Sequence, residues 1–134
     1  MKKTILTLIA LLALPLVALA HEGHPEAKGD VAAPNGGLIQ PADEHYLEVL
    51  TEGAKLSIYA YDIDLKTLPK GKVELTAQTQ LPGQAAKALP LTYAGDHWQA
   101  TFDAGSAHRY SLKLIKTHDG HSDTATFTIE PGAM

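Results

Sequence analysis

Apolar and polar positions alternate along this chain over short runs, a period of two that marks strands rather than helices. Leu47 and Val49 share one face of a run at 45–50. Leu56, Ile58 and Ala60 share one face at 54–62, with Tyr59 and Tyr61 on the other. Val73, Leu75 and Ala77 repeat the pattern over 72–80, and further runs lie at 38–40, 88–93, 97–103, 108–118 and 121–130. Gly, Pro, Asn and Asp separate them, which is turn chemistry. Beyond residue 20 no run of ten or more residues carries a helical period. This spacing predicts an all-β fold: a single immunoglobulin-like β-sandwich of seven or eight antiparallel strands, with a small β-barrel as the alternative.

Two turns fix local register. Asp119-Gly120 is a type I′ signal, because that turn needs positive φ at both central residues. Counting outward, it pairs His118 with His121, Lys116 with Asp123, Leu114 with Ala125, Leu112 with Phe127 and Tyr110 with Ile129. One ion pair followed by three apolar pairs supports the turn from residues far from it. A second hairpin about Gly95-Asp96 pairs Tyr93 with Trp98, Leu91 with Ala100 and Leu89 with Phe102.

The first twenty residues carry no strand alternation. Lys2 and Lys3 precede an apolar stretch, and Ala18-Leu19-Ala20 is a small-x-small cleavage site. Residues 1–20 therefore read as a cleaved signal peptide, residues 21–35 as a flexible His-containing tail, and residues 36–134 as the β-sandwich domain. A periplasmic location is expected, with no membrane attachment after cleavage. Losing Lys2 and Lys3 moves the formal charge from −4 to −6. A mildly acidic domain is a poor nucleic-acid partner. The chain has no cysteine, hence no disulfide and no thiolate ligand. Any metal must be held by nitrogen and oxygen.

The chain has seven histidines. His118 and His121 flank the Asp119-Gly120 turn, which sets their Cβ atoms roughly 5 Å apart across the strands. If consecutive strands alternate in direction, His45 and His97 fall at the same end of the sandwich, and His108 at the other. His21 becomes the terminal residue if cleavage follows Ala20, offering an amine and an imidazole together, and His24 follows in the tail. The thirteen residues from His21 to Ala33 span roughly 40 Å when extended. The candidate metal ligands are thus His118, His121, His21, His24, His97 and His45. Imidazole suits Cu(II), Zn(II) and Ni(II), and tetragonal N,O geometry favours copper or nickel. It ligates only when neutral, so affinity should fall below about pH 6.5.

Asp62 and Asp64 flank Ile63 without the further oxygen ligands or the glycine of a calcium loop, and read as loop residues. There is no nucleophile elbow, phosphate-binding glycine loop or His-Glu-x-x-His motif, so no catalytic residue is assigned.

The turn Pro34-Asn35-Gly36-Gly37, the run His45-Tyr46-Leu47-Glu48-Val49 and the run Leu56-Ser57-Ile58-Tyr59-Ala60-Tyr61-Asp62 together resemble small periplasmic proteins and accessory domains of heavy-metal efflux systems. Those carry a His-containing tail before a Gly-Gly turn. The residue before Gly-Gly is Asn35 here, where the resemblance implies histidine. A terminal histidine on a sandwich is also similar in architecture to periplasmic copper-resistance C proteins. The resemblance implies binding or delivery of copper, or zinc as the second choice, to a periplasmic component of an efflux system. The competing expectation is a non-catalytic interaction module of the cell envelope that holds no metal.

Overall fold

The computed structural model describes residue 27 and residues 29–132. Nine strands form: β1 (Leu38–Ala42), β2 (His45–Glu52), β3 (Lys55–Tyr61), β4 (Glu74–Gln80), β5 (Lys87–Leu89), β6 (Thr92–Tyr93), β7 (Trp98–Thr101), β8 (Tyr110–His118) and β9 (His121–Ile129). One sheet has the order β1-β2-β3-β7-β6 and the other β5-β4-β8-β9. Every strand pairing is antiparallel. Among the described residues there is no helix, and so none long and apolar enough to cross a membrane. The two sheets stay separate rather than closing into one barrel, and the fold is all-β with the layering of a sandwich.

The predicted alternation builds the core. Leu47, Val49, Leu56, Ile58 and Ala60 from the first sheet meet Leu75, Ala77, Leu112, Leu114, Ala125, Phe127 and Ile129 from the second. The β8–β9 ladder has the register expected from the turn, from Tyr110↔Ile129 through to His118↔His121. Asp119 and Gly120 both have positive φ, 50° and 79°, as a type I′ turn requires.

The run at 88–93 does not behave as one strand. Tyr93 pairs with Trp98 as expected, but Leu89 pairs with Ala77 of β4 rather than with Phe102. The break falls at Pro90. Proline has no N–H to continue a ladder, and the chain leaves one sheet there and joins the other.

Both faces of β2 are covered: His45, Tyr46, Leu47, Glu48 and Val49 are all buried. The inward face meets the core. The outward face is crossed by the chain that precedes β1. There a turn runs from Ala33 to Gly36, closed by the Gly36 N–H on the Ala33 carbonyl at 3.0 Å, with Pro34 at the position where its fixed φ suits such a turn. Asn35, which the sequence places in the tail, is bonded into the sheet's outer face through Glu48.

Candidate functional site

The β8–β9 turn holds His118 and His121 as a cross-strand pair at the tip of nine paired positions. His118 Nδ1 lies 2.8 Å from the Lys72 carbonyl oxygen. A carbonyl only accepts, so Nδ1 carries the proton and donates it. Nε2 is then the nitrogen with the free lone pair in the neutral ring. It sits 3.2 Å from Asp119 Oδ2. His121 is exposed.

Beneath the tip lies His45, the first residue of β2. Its ring meets the His118 ring edge to face, with centroids 4.8 Å apart and planes at 89°. Lys116 Nζ approaches His45 Nδ1 at 2.8 Å. As an ammonium, Lys116 donates, which places the His45 proton on Nε2. Both groups are buried. Burial, followed by the Lys116 and His118 charges, lowers the His45 pKa below its ordinary 6.5. Burial likewise lowers Lys116, against the opposing pull of Asp43, Asp123 and Glu44.

Lys116 is the residue whose role the sequence reading missed. It is the register partner of Asp123, but its ammonium turns inward to His45 instead of forming a surface ion pair. The signal was present: Lys116 follows Leu112 and Leu114 at the same spacing, so it belongs to the inward face of β8.

His97 does not join the others in ring or hydrogen-bond contact. It stacks on Tyr59 at 4.8 Å and 22°. Its Nδ1 meets Asp96 Oδ1 at 2.6 Å and its Nε2 meets Gln99 Nε2 at 3.2 Å, so both ring nitrogens are engaged. His108 is exposed in the loop before β8. His21 and His24 lie outside the described residues. Among those described, no three His, Cys, Asp or Glu side chains converge in a metal-holding group. The tip supplies two aligned donors, His118 Nε2 and Asp119 Oδ2.

The turn at Asn35 has a different occupation. The buried Glu48 carboxylate accepts from the Asn35 backbone N–H at 3.0 Å, the Asn35 side-chain amide at 3.2 Å, the Gly37 N–H at 2.8 Å and the Tyr61 hydroxyl at 2.6 Å. Asn35 Nδ2 also donates to the Tyr61 oxygen at 2.8 Å. Tyr61, expected on an outer face, is buried there, and Tyr59 stacks beside it. Asp62 is a loop residue as expected: its Oδ1 accepts from the Asp64 and Lys66 backbone N–H groups at 2.8 and 2.9 Å.

No family model matches this chain, and neither the curated proteins nor the solved structures contain a match.

Proposed function

We propose that this is a periplasmic metal-binding protein without catalytic activity, which takes up a divalent transition metal at the β8–β9 tip and passes it to an efflux or resistance system. Copper is the first choice and zinc the second. The observation that carries this reading is the His118–Asp119 pair. A metal-ligating histidine ordinarily donates its second ring N–H to a carbonyl or carboxylate, which fixes tautomer and orientation, and His118 does this to the Lys72 carbonyl. Ligand bonds of 2.0–2.2 Å at tetrahedral or square angles separate two donor atoms by about 2.8–3.6 Å. Nε2 and Oδ2 stand at 3.2 Å. The same spacing holds a proton when the ring is charged, so proton and metal compete for one place.

Two donors do not complete a site. His121 at the same tip, and His21 and His24 from the tail, are the imidazoles available to add to it. His45 and His97 are supporting residues in this reading, because Lys116 occupies the former's acceptor nitrogen and Asp96 and Gln99 both nitrogens of the latter. The export features of residues 1–20 support the compartment. The resemblance to efflux-associated domains supports the pathway.

Isothermal titration of the chain beginning at His21 tests the reading. Cu(II) or Zn(II) binding at micromolar concentration or tighter is expected, weakened at least tenfold by His118→Ala. No binding, or binding that survives His118→Ala together with His121→Ala, overturns it in favour of the interaction module.

A further inference from the structure

We infer that the free edge of β9 is a self-association surface. A second copy of this chain adds its own β9 there, antiparallel, and joins the two four-stranded sheets into one across a two-fold axis.

The sandwich has four sheet edges: β1 and β6 in one sheet, β5 and β9 in the other. An edge strand presents unpaired N–H and C=O groups, and folds blunt it with shortness, proline, lysine or a bulge. β6 has two residues and β5 three, the latter containing Lys87 and followed directly by Pro90. β1 carries Pro41. β9 has none of these devices. It runs nine residues, His121–Ile129, without lysine or proline, and its ladder to β8 is unbroken.

Position along β9 decides which backbone groups are free. The residues flanking a two-residue hairpin turn exchange both backbone bonds, and bonded and non-bonded pairs then alternate. His118↔His121 is such a bonded pair, so His121, Asp123, Ala125, Phe127 and Ile129 direct their backbone groups to β8. The Thr117 and Ser122 hydroxyls, 2.9 Å apart, fit the alternate, non-bonded pair, in which side chains come closer. Ser122, Thr124, Thr126 and Thr128 therefore aim their N–H and C=O groups at the open edge. Their side chains are exposed and uncharged, and threonine suits a strand.

A second copy fits this edge by its own alternation. With Thr124 opposite Thr126 of the second copy, Ser122 meets Thr128, and all four outward-aimed residues find backbone partners. Hydroxyl side chains then face hydroxyl side chains, a favourable cross-strand pairing. The chain has a formal charge of −4, which opposes self-association, but this register sets Asp123 against Phe127 of the second copy. The two Asp123 residues stand about 14 Å apart along the strands, beyond the screening length at physiological salt. Leu38 is the exposed large apolar residue among those described. It lines a groove with Thr128, Ile129 and Glu130, beside the seam. A strand edge about 27 Å long offers less than the roughly 800 Å² per partner of a standard interface, so the dimer is reversible.

Sedimentation velocity on the chain beginning at His21 tests this, in EDTA so that no metal bridges two copies. A shift from monomer to dimer is expected between micromolar and millimolar concentration. Thr126→Lys charges the edge without touching the β8 ladder and should weaken the dimer at least tenfold. Thr126→Pro removes an outward N–H and should do the same, with a thermal melt to check folding. Thr76→Lys, exposed on the same sheet face but in β4, should leave the dimer unchanged. A monomer throughout the range, a dimer indifferent to Thr126→Lys, or equal loss in Thr76→Lys overturns the proposal. Growth past the dimer also overturns it, because β9 pairing consumes the one open edge.

Discussion

Lys116 and His45 meet inside the protein, Nζ to Nδ1 at 2.8 Å, with both side chains shut off from water. Each has its charged form disfavoured, chiefly by burial. The unfolded chain therefore binds protons that the folded chain declines. Below pH 6.5, where an ordinary imidazole charges, stability should fall with pH until the lowered folded pKa is passed. The Lys116 window has the same sign and lies below 10.5, so stability gains as pH rises through it. Urea midpoints measured from pH 5 to 10 should show both limbs. Lys116→Met should abolish the alkaline gain and make the acid loss shallower, because the cation beside His45 is gone. Limbs unchanged by Lys116→Met would refute this account of the pair.

The Glu48 cluster makes a separate prediction. Tyr61→Phe removes a hydrogen bond to a charged group and should cost about 1.5–3 kcal/mol, and Glu48→Ala more, because it leaves several donors unmet. Burial and the Glu48 carboxylate push the Tyr61 hydroxyl well above its ordinary 10, and burial pushes Tyr110 up to about 12. The unfolded chain ionises first, so stability drains away above about pH 10. A phenolate absorbance titration should show these two of the five tyrosines ionising only as the protein unfolds. Tyr61→Phe should shrink that late step.

Gly37 and Gly71 should respond oppositely to alanine. A Cβ on Gly37 would run into the backbone carbonyl of Val49, while one on Gly71 meets nothing. Neither has a positive φ, so the difference is space rather than conformation. Gly37→Ala should destabilise by about 1–3 kcal/mol, as overpacking does, and Gly71→Ala should stay within about 0.5 kcal/mol, the range of an ordinary surface change. Denaturant midpoints decide it.

Asp119→Asn separates the turn from the chemistry. Asn-Gly is the strongest type I′ pair, so folding stability should hold or rise. A metal ligand oxygen would lose its charge, and Cu(II) or Zn(II) affinity should drop about tenfold or more. Unaltered affinity would take Asp119 out of the site.

The hairpin register was legible because its evidence is local and repeated: one turn signal and several pairings that must all agree. The Pro90 change of sheet was not, although the proline is visible, because nothing local says which sheet receives each half. Glu48 was harder still. Alternation put it on the outward face of β2, where a carboxylate belongs in water. The turn at Asn35 and Gly37 covers it together with Tyr61, and that turn has no periodicity to announce a packed role. His97 looked like a member of the histidine group by strand direction, yet direction gives the end of a sheet and not the face. His118 was found from two letters, but its orientation depends on the Lys72 carbonyl, contributed from elsewhere in the chain.

The crossing at Pro90 bears on how the domain comes apart. Three residues before it complete the ladder of one sheet, and two shortly after it complete the other. Peeling either sheet from its partner pulls directly on the edge of the remaining one. The layers are stitched by their own backbone, without a disulfide to do so, and backbone amides in β4 and β7 should exchange with solvent through one shared opening rather than sheet by sheet.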